Sequence, residues 1–346
     1  MNTTKKYTVT VIDKVFETSD TCTIKFKQPS LKKITYLSGQ FITLNLMIEG
    51  RLYRRPYSIS SVFNIDNSLN ITVKAIQNGK VSKYIYEELK IGQSLEIDEP
   101  LGNFILPQNI SSPVILWAAG SGIAPIYAHL RFLLYKTNNK VLLNFSSSRI
   151  ENTIFLDSLQ NLKKDFNERF FFQLFLSKAP TNSNNDDTIL GRLSEKEIND
   201  LVTINKYNNA TLHYICGPNE YNVLLKQSLL ALGCNEHDIF IEDFKVILNE
   251  EELKNVVDAE VNITNGVNVN NFKVLRGNSI LSKALDLGLN LNYSCQTGTC
   301  ELCKGQILLG SVKEIVHHQT RIKSTGEECL LCSSLPLTKE ISISIN

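Results

Sequence analysis

Apolar and polar residues alternate along the first hundred residues of the chain. The runs YTVTVIDKVF, CTIKFKQ, QFITLNLMI, YSISSVF, LNITVKAI and QSLEIDEP are each short and bounded by turn residues. Alternation of period two turns one face of a strand to a core, and many short, evenly spaced strands predict a small barrel or sandwich. The pattern changes at Pro113. PVILWAAG and KVLLNFSSS are continuous apolar runs, and APIYAHLRFLLYK between them has helical spacing. A helix at 152–166, the strands FFFQLFLS and LHYICGP, a helix at 219–232 and the strand IFIEDF follow. Strands alternating with helices predict a parallel sheet covered on both faces. PTNSNNDDT is a polar loop. LNEEELKNVVDAE, with five acids and one Lys, reads as an exposed linker. Beyond it, EVNITNGVNVNNFKVL predicts a hairpin, SILSKALDLGL a helix, and KGQILLGSV and KEISISIN two strands. The chain is therefore expected to be an α+β multidomain protein: a barrel over 1–108, an α/β parallel-sheet domain over 109–247, a linker over 248–259 and a small domain over 260–346.

Composition narrows the partners more than the fold. With 346 residues and 42% apolar content the chain buries ample core, and a net charge of +1 gives no bulk attraction to nucleic acid or anionic membrane. The opening MNTTKKYTVTVIDKVFETSD lacks the apolar stretch of a signal peptide. No apolar run reaches the roughly 18 residues of a membrane span. A cytoplasmic location is expected, where disulfides rarely persist, so the eight cysteines point to metal.

Three of those cysteines stand in CQTGTCELC, at Cys295, Cys300 and Cys303, and another, Cys332, follows 29 residues on. The spacing C-x4-C-x2-C with a distant fourth cysteine is that of a plant-type [2Fe–2S] cluster. Gly298 suits a loop whose backbone must bend close to sulfide. Zinc is the rival ligand, but its sites commonly pair one C-x2-C with another or with spaced histidines, and His317-His318 form no such spacing. Cys329 and Cys332 compete for the fourth place. Cys332, in CLLCSSLP, is taken as the ligand, and Cys329 as a small apolar residue. This segment resembles the plant-type ferredoxin family, which implies a β-grasp fold.

RLYRRPYSISS holds Arg55, Pro56, Tyr57 and Ser58. An arginine can pair with phosphate, a tyrosine two residues on shares its strand face and can stack on an isoalloxazine, and Ser58 can hydrogen-bond a ring nitrogen. NGKVSKYI adds Gly79, Val81 and Ser82 at a helix start, where N–H groups suit a pyrophosphate. EPLGNF closes the stretch. In this order the three are similar to the flavin domain of the ferredoxin–NADP reductase superfamily. That resemblance covers about residues 5–245 and implies Arg55, Pro56, Tyr57 and Ser58 at the flavin and Gly79, Val81 and Ser82 at its phosphates, with FAD favoured over FMN.

ILWAAGSGIAPIYAHL places Gly120 and Gly122 between an apolar strand and a helix, where backbone can approach a dinucleotide pyrophosphate. Pro125 stands where a third glycine is usual in such loops, and G-x-G-x-x-P is the form this superfamily carries. In HYICGPNEYN the resemblance implies Cys216, with Gly217 and Pro218, beside the nicotinamide carbon that gives up hydride. It also implies Phe244 against the flavin, with Glu242 as a neighbour. After the second apolar strand, Ser148 and Arg149 are donors while the first acid is Glu151. Donors there favour the 2′-phosphate of NADPH over NADH.

Flavin barrel, nicotinamide domain and ferredoxin domain then form a wire, because flavin accepts a hydride pair and releases electrons singly. The whole chain resembles oxygenase reductase components with a C-terminal ferredoxin, which implies an oxygenase or hydroxylase partner. From 260 to 346 there are eight Lys and Arg against seven Asp and Glu, so steering by acidic charge is not expected. Two rivals stand beside this reading: a stand-alone reductase of a separate ferredoxin, haem or quinone acceptor, and a redox-sensing regulator without turnover.

Overall fold

The computed structural model describes residues 5–29, 33–107, 109–178, 187–204, 211–246, 248–316 and 319–345. Most of PTNSNNDDT, and both His317 and His318, lie outside the described residues. The chain divides into two compact units, Lys5–Glu242 and a C-terminal one that begins at Asp243.

The first unit opens with β1 (Lys6–Thr18), β2 (Thr21–Lys27), β3 (Phe41–Ile48), β4 (Arg51–Ser58), β5 (Leu69–Lys74), helix α1 (Lys80–Glu87) and β6 (Ser94–Asp98). The strands form an antiparallel sheet in the order β4-β3-β6-β1-β2-β5. Its two edges meet through a bridge between Ile59 and Ile71 and the bond from Ser60 N–H to the Asn70 carbonyl, which curls the sheet into the expected barrel. Val9, Ile24, Ile42, Leu44, Ile71 and Ile97 fill the interior. The fourth strand lies earlier than YSISSVF suggests. It runs from Arg51 to Ser58, through Pro56, which the sheet tolerates because β4 pairs on one side only, with β3.

The unit continues with β7 (Val114–Ala119), α2 (Ile123–Lys136), β8 (Val141–Ser147), α3 (Leu156–Asp165), β9 (Phe170–Leu176), β10 (Thr188–Leu190), α4 (Glu195–Ile204), β11 (Leu212–Cys216), α5 (Asn219–Ala231) and β12 (Ile239–Glu242). All six strands are parallel, in the order β10-β9-β8-β7-β11-β12. Continuous apolar runs follow from burial on both faces. Leu116, Leu143 and Phe145 pack with Ile126 and Leu130 of α2 on one side, and Ile115, Trp117 and Leu142 pack with Ile198 of α4 and Leu225 of α5 on the other. The barrel and this domain share an interface. Arg131 pairs with Asp66 at 2.6 Å, and the Tyr214 hydroxyl donates to the Ile105 carbonyl. His129 packs there against the rings of Phe104 and Tyr214.

The second unit holds β13 (Ala259–Asn265), β14 (Asn268–Val274), α6 (Ile280–Asp286), β15 (Lys304–Leu309), β16 (Ser311–Val316), β17 (Gln319–Ser324), β18 (Glu328–Leu330), β19 (Ser334–Pro336) and β20 (Glu340–Ile345). One sheet runs β14-β13-β20-β15-β18, with β13 and β20 parallel, and a smaller one runs β17-β16-β19. Helix α6 packs on this core through Ile280, Leu281 and Ala284, giving the expected β-grasp architecture. KGQILLGSV is two strands, because Gly310 at φ 89° turns the chain between β15 and β16. The acidic stretch before β13 is tied down rather than loose. Val256 is buried with Ile315 and Leu335, and the Lys313 ammonium donates to the carbonyls of Glu252 at 2.9 Å and Lys254 at 2.7 Å.

Candidate active site and cluster loop

The parallel sheet reverses its winding between β7 and β11. From β7 the chain moves to β8, β9 and β10 on one side, then returns to β11 and β12 on the other. The crevice outside the strand ends at such a reversal is where open α/β sheets bind ligands. The structure puts Gly120–Gly122 and Cys216–Pro218 there, on neighbouring strands, with Cys216 opposite Ala118. The two glycines of the turn have different tasks. Gly120 takes φ 54° and has open space where a Cβ would be, so it supplies conformation. A Cβ on Gly122 would stand 2.1 Å from the Cys216 carbonyl oxygen, so it supplies proximity. Gly217 is packed as closely: a Cβ there would lie 2.7 Å from the Tyr221 ring. Helix α2 starts straight after the turn, its N-terminus uncapped by any side chain, and Pro125 occupies its first turn. Cys216 itself is fully buried.

Ser148 and Arg149 follow β8 as expected. The Ser148 hydroxyl accepts from the Asn152 side chain at 2.8 Å. Arg149 is half exposed and 3.7 Å from Glu151, a pairing in open solvent that a phosphate can displace.

In the barrel, Arg54 and Arg55 are adjacent but differently engaged. Arg54 reaches Asp98 at 2.6 Å; that carboxylate is fully buried and also accepts from the Asn45 amide at 2.9 Å. This trio escaped the sequence reading, which had no signal for Asp98 turning inward. Arg55 has no acidic partner among the described residues and donates to the Arg54 carbonyl, which leaves its guanidinium for a ligand. Tyr57 packs at the margin of the barrel core, where burial raises its phenol and the charge of nearby Arg55 opposes the rise. Ser58 ends β4 and is buried. Helix α1 starts after Gly79 with no side-chain cap, so its first N–H groups are open to a phosphate. Val81 points into the core and can offer only backbone. The Ser82 hydroxyl is taken by Ile76 N–H and the Gly79 carbonyl, and a Cβ on Gly79 would strike both Ile76 and Ser82. Phe244 is half exposed and belongs to the second unit.

The cysteine loop is built by backbone turns. Gln296, Gly298 and Glu301 all take positive φ. Gly298 is further confined, since a Cβ would stand 2.7 Å from the Val316 side chain. These turns aim the N–H groups of Thr297, Thr299 and Cys300 at the Cys295 sulfur, at 3.4, 3.2 and 3.4 Å. Hydrogen bonds from the Cys300 and Cys332 thiols, then from the Thr299 side chain and the Thr297 backbone, hold Cys295 toward the thiolate against the opposing effect of burial. Cys332 also meets Cys303. Cys329 joins none of these contacts; burial pushes its thiol up to about 12, and its side-chain bond is to Ser334. No three His, Cys, Asp or Glu side chains among the described residues gather tightly enough for a single ion. Four sulfurs strung as Cys300–Cys295–Cys332–Cys303, with backbone donors around one of them, fit a two-iron cluster with two thiolates per metal better than one zinc.

Residues 8–105 match the family described as Oxidoreductase FAD-binding domain, 116–223 the Oxidoreductase NAD-binding domain and 265–337 the 2Fe-2S iron-sulfur cluster binding domain. The chain belongs to the oxidoreductases that join these three domains. It is 27% identical to a subunit of the 1,2-phenylacetyl-CoA epoxidase of Escherichia coli (strain K12), over 97% of each chain. To the ferredoxin reductase component of 3-ketosteroid-9-alpha-monooxygenase of Mycolicibacterium smegmatis it is 25% identical, over 96% of this chain and 95% of that one. Its fold is that of phthalate dioxygenase reductase, with a TM-score of 0.69 at 19% identity over 98% of both chains. This oxidoreductase has no helix long and apolar enough to cross a membrane among its described residues.

Proposed function

We propose that the protein oxidises NADPH and delivers the electrons singly, through FAD and a [2Fe–2S] cluster, to an oxygenase or hydroxylase component in the cytoplasm. The observation that carries this reading is the convergence of four thiols in a chain whose other unit has a glycine-lined crevice at its sheet reversal. The relatives named above belong to epoxidase and monooxygenase systems, which supports an oxygenase as acceptor. All eight cysteines are unpaired, which supports a reducing compartment.

When bound, flavin takes a hydride and gives up electrons one at a time, and the cluster relays them. The protein's residues hold and shield these groups. Arg55 and the N-terminus of α1, from Gly79 through Val81 to Ser82, receive the flavin phosphates; Pro56 fixes the strand between Arg55 and Tyr57, and Tyr57 and Ser58 face the ring. Gly120, Gly122, Pro125, Gly217 and Pro218 admit the dinucleotide, with Ser148 and Arg149 at its 2′-phosphate. Cys216 and Ser58 flank the hydride path, and Phe244 is assigned to cofactor binding. Cys295, Cys300, Cys303 and Cys332 bind the irons. The working domain limits are 1–108, 109–247 and 260–346.

The decisive experiment removes the second unit. A chain ending near Phe244 should bind flavin, oxidise NADPH and reduce ferricyanide, yet fail to reduce cytochrome c or the oxygenase partner. Full cytochrome c reduction by the shortened chain would show that the cluster is not the exit.

A further inference from the structure

The outer face of the barrel carries a row of polar oxygens that no sequence motif announces. Thr23 on β2 and Thr72 on β5 stand opposite each other in the ladder. Their neighbours Cys22, Ile24, Ile71 and Val73 fill the barrel interior, so both threonines point outward. Even so they are only 5% and 7% exposed, and Ser60 beside them 3%. The two threonine hydroxyls are 2.9 Å apart, and 2.9 Å also separates those of Thr72 and Ser60. Thr23 donates to the Glu17 carboxylate at 2.7 Å.

The ends of this row lie in different surroundings. Ser60 is two residues past Ser58, and the Gly120–Gly122 turn packs against β5, so this end adjoins the flavin motif and the dinucleotide crevice. Glu17 at the other end is partly open to solvent. It accepts the backbone N–H of Phe155 from the nicotinamide domain, and Lys25 and Asp157 face it with opposite charges.

Each hydroxyl carries one proton. Thr72 donates to Ser60, so all three links are made at once when Glu17 is protonated and donates to Thr23; when Glu17 is ionised Thr23 donates to it, and the row is complete only once Ser60 has turned to donate to Thr72. Reversing the row moves one proton along its length. The reaction needs such a path, since NADPH gives up two electrons and one proton on becoming NADP⁺. The electrons leave for the acceptor, and the proton has to reach solvent from a closed interface.

We propose that Ser60, Thr72, Thr23 and Glu17 form the proton exit of this oxidoreductase. The proposal rests on the direction of flow given under the proposed function. Desolvation raises the Glu17 carboxyl above its ordinary value, which suits a group that takes up and then releases a proton.

The test is Thr72→Val, which removes the middle hydroxyl at nearly constant shape, beside Thr72→Ser, which restores it. NADPH should bleach the flavin equally fast in the wild type and both variants, because hydride transfer draws no proton from water. After ferricyanide is added, a pH-indicator dye should report proton release slower by about a hundredfold in Thr72→Val, and near the wild-type rate in Thr72→Ser. Difference infrared spectra of the wild type with isotope-labelled glutamate should show one carboxyl band that changes with flavin redox state and is missing in Glu17→Gln. Unchanged proton release in Thr72→Val, or no such band in the wild type, would reduce the row to a ladder that satisfies buried hydroxyls. A wild type whose flavin NADPH does not bleach would instead refute the proposed function, and the relay with it.

Discussion

The cysteine loop and the dinucleotide crevice hold their partners by opposite means. The loop presents side-chain sulfurs, and its backbone serves to aim them: three positive-φ residues between Cys295 and Cys303 turn N–H groups onto one thiol. The crevice presents backbone, and its side chains matter chiefly by their absence, as at Gly122 against the Cys216 carbonyl. A site made of side chains depends first on its ligands, and on backbone only where a turn such as Gly298 leaves no room for a Cβ. A site made of backbone fails wherever a Cβ is added.

The largest test of that contrast is Cys332→Ser. It should abolish iron and labile sulfide, each roughly two per chain in the wild type. Cys329→Ser should keep both, because Cys329 only fills core. Metal analysis and the visible spectrum decide, and the reverse outcome would move the fourth ligand to Cys329.

Arg149 is the side chain on which the crevice is expected to depend. Arg149→Ala should raise KM for NADPH about ten- to a hundredfold, for the loss of a charged hydrogen bond of roughly 1.5–3 kcal/mol, and leave KM for NADH nearly unchanged. Equal effects on both cofactors would make Arg149 a solvated loop residue and favour NADH.

Gly122→Ala should weaken NADPH binding and cost about 1–3 kcal/mol in urea unfolding, as overpacking does. Gly120→Ala meets no atom and should cost about 1 kcal/mol, from its left-handed backbone alone. Equal costs at the two positions would erase the distinction between proximity and conformation.

A further effect concerns acid. His129 is fully buried between barrel and nicotinamide domain, and burial pushes it down to about 3. Below its ordinary value near 6.5 the unfolded chain binds the extra proton and the folded chain does not. Stability from this group is therefore complete above about 6.5 and lost as pH falls toward 3, by up to about 1.4 kcal/mol per unit. Unfolding curves at pH 5 and 7 should show that slope, and His129→Leu should flatten it. His213, pushed down to about 4 by burial, adds a slope of the same sign.

The same contrast explains what the sequence disclosed. Cysteine spacing is chemistry written in side chains, so a 2Fe-2S domain was legible from it. The crevice was legible only because Gly120 and Gly122 mark places where backbone must come close. The strands of the parallel sheet showed as apolar runs, being buried on both faces. Helix α4 went unpredicted although SEKE carries its start: Ser194 N–H donates to Glu197 at 2.9 Å, a capping box that could have found it. The 248–259 stretch looked loose because its acids face water, whereas its carbonyls, which bind Lys313, leave no trace in composition. The Glu17–Ser60 row was invisible for a related reason. Thr23 and Thr72 occupy the polar positions of alternating strands, and such positions give no sign of being covered by another domain.

The grip of Lys313 also bears on the order in which the second unit can assemble. The carbonyls it binds lie 59 to 62 residues before it, and β13 pairs with β20, the last strand among the described residues. During synthesis the strap and β13 leave the ribosome long before their partners exist. The barrel and nicotinamide domain draw on earlier sequence and can close first. The cluster unit cannot close until Lys313 and β20 have been made, so iron would meet a finished site only after both have left the ribosome.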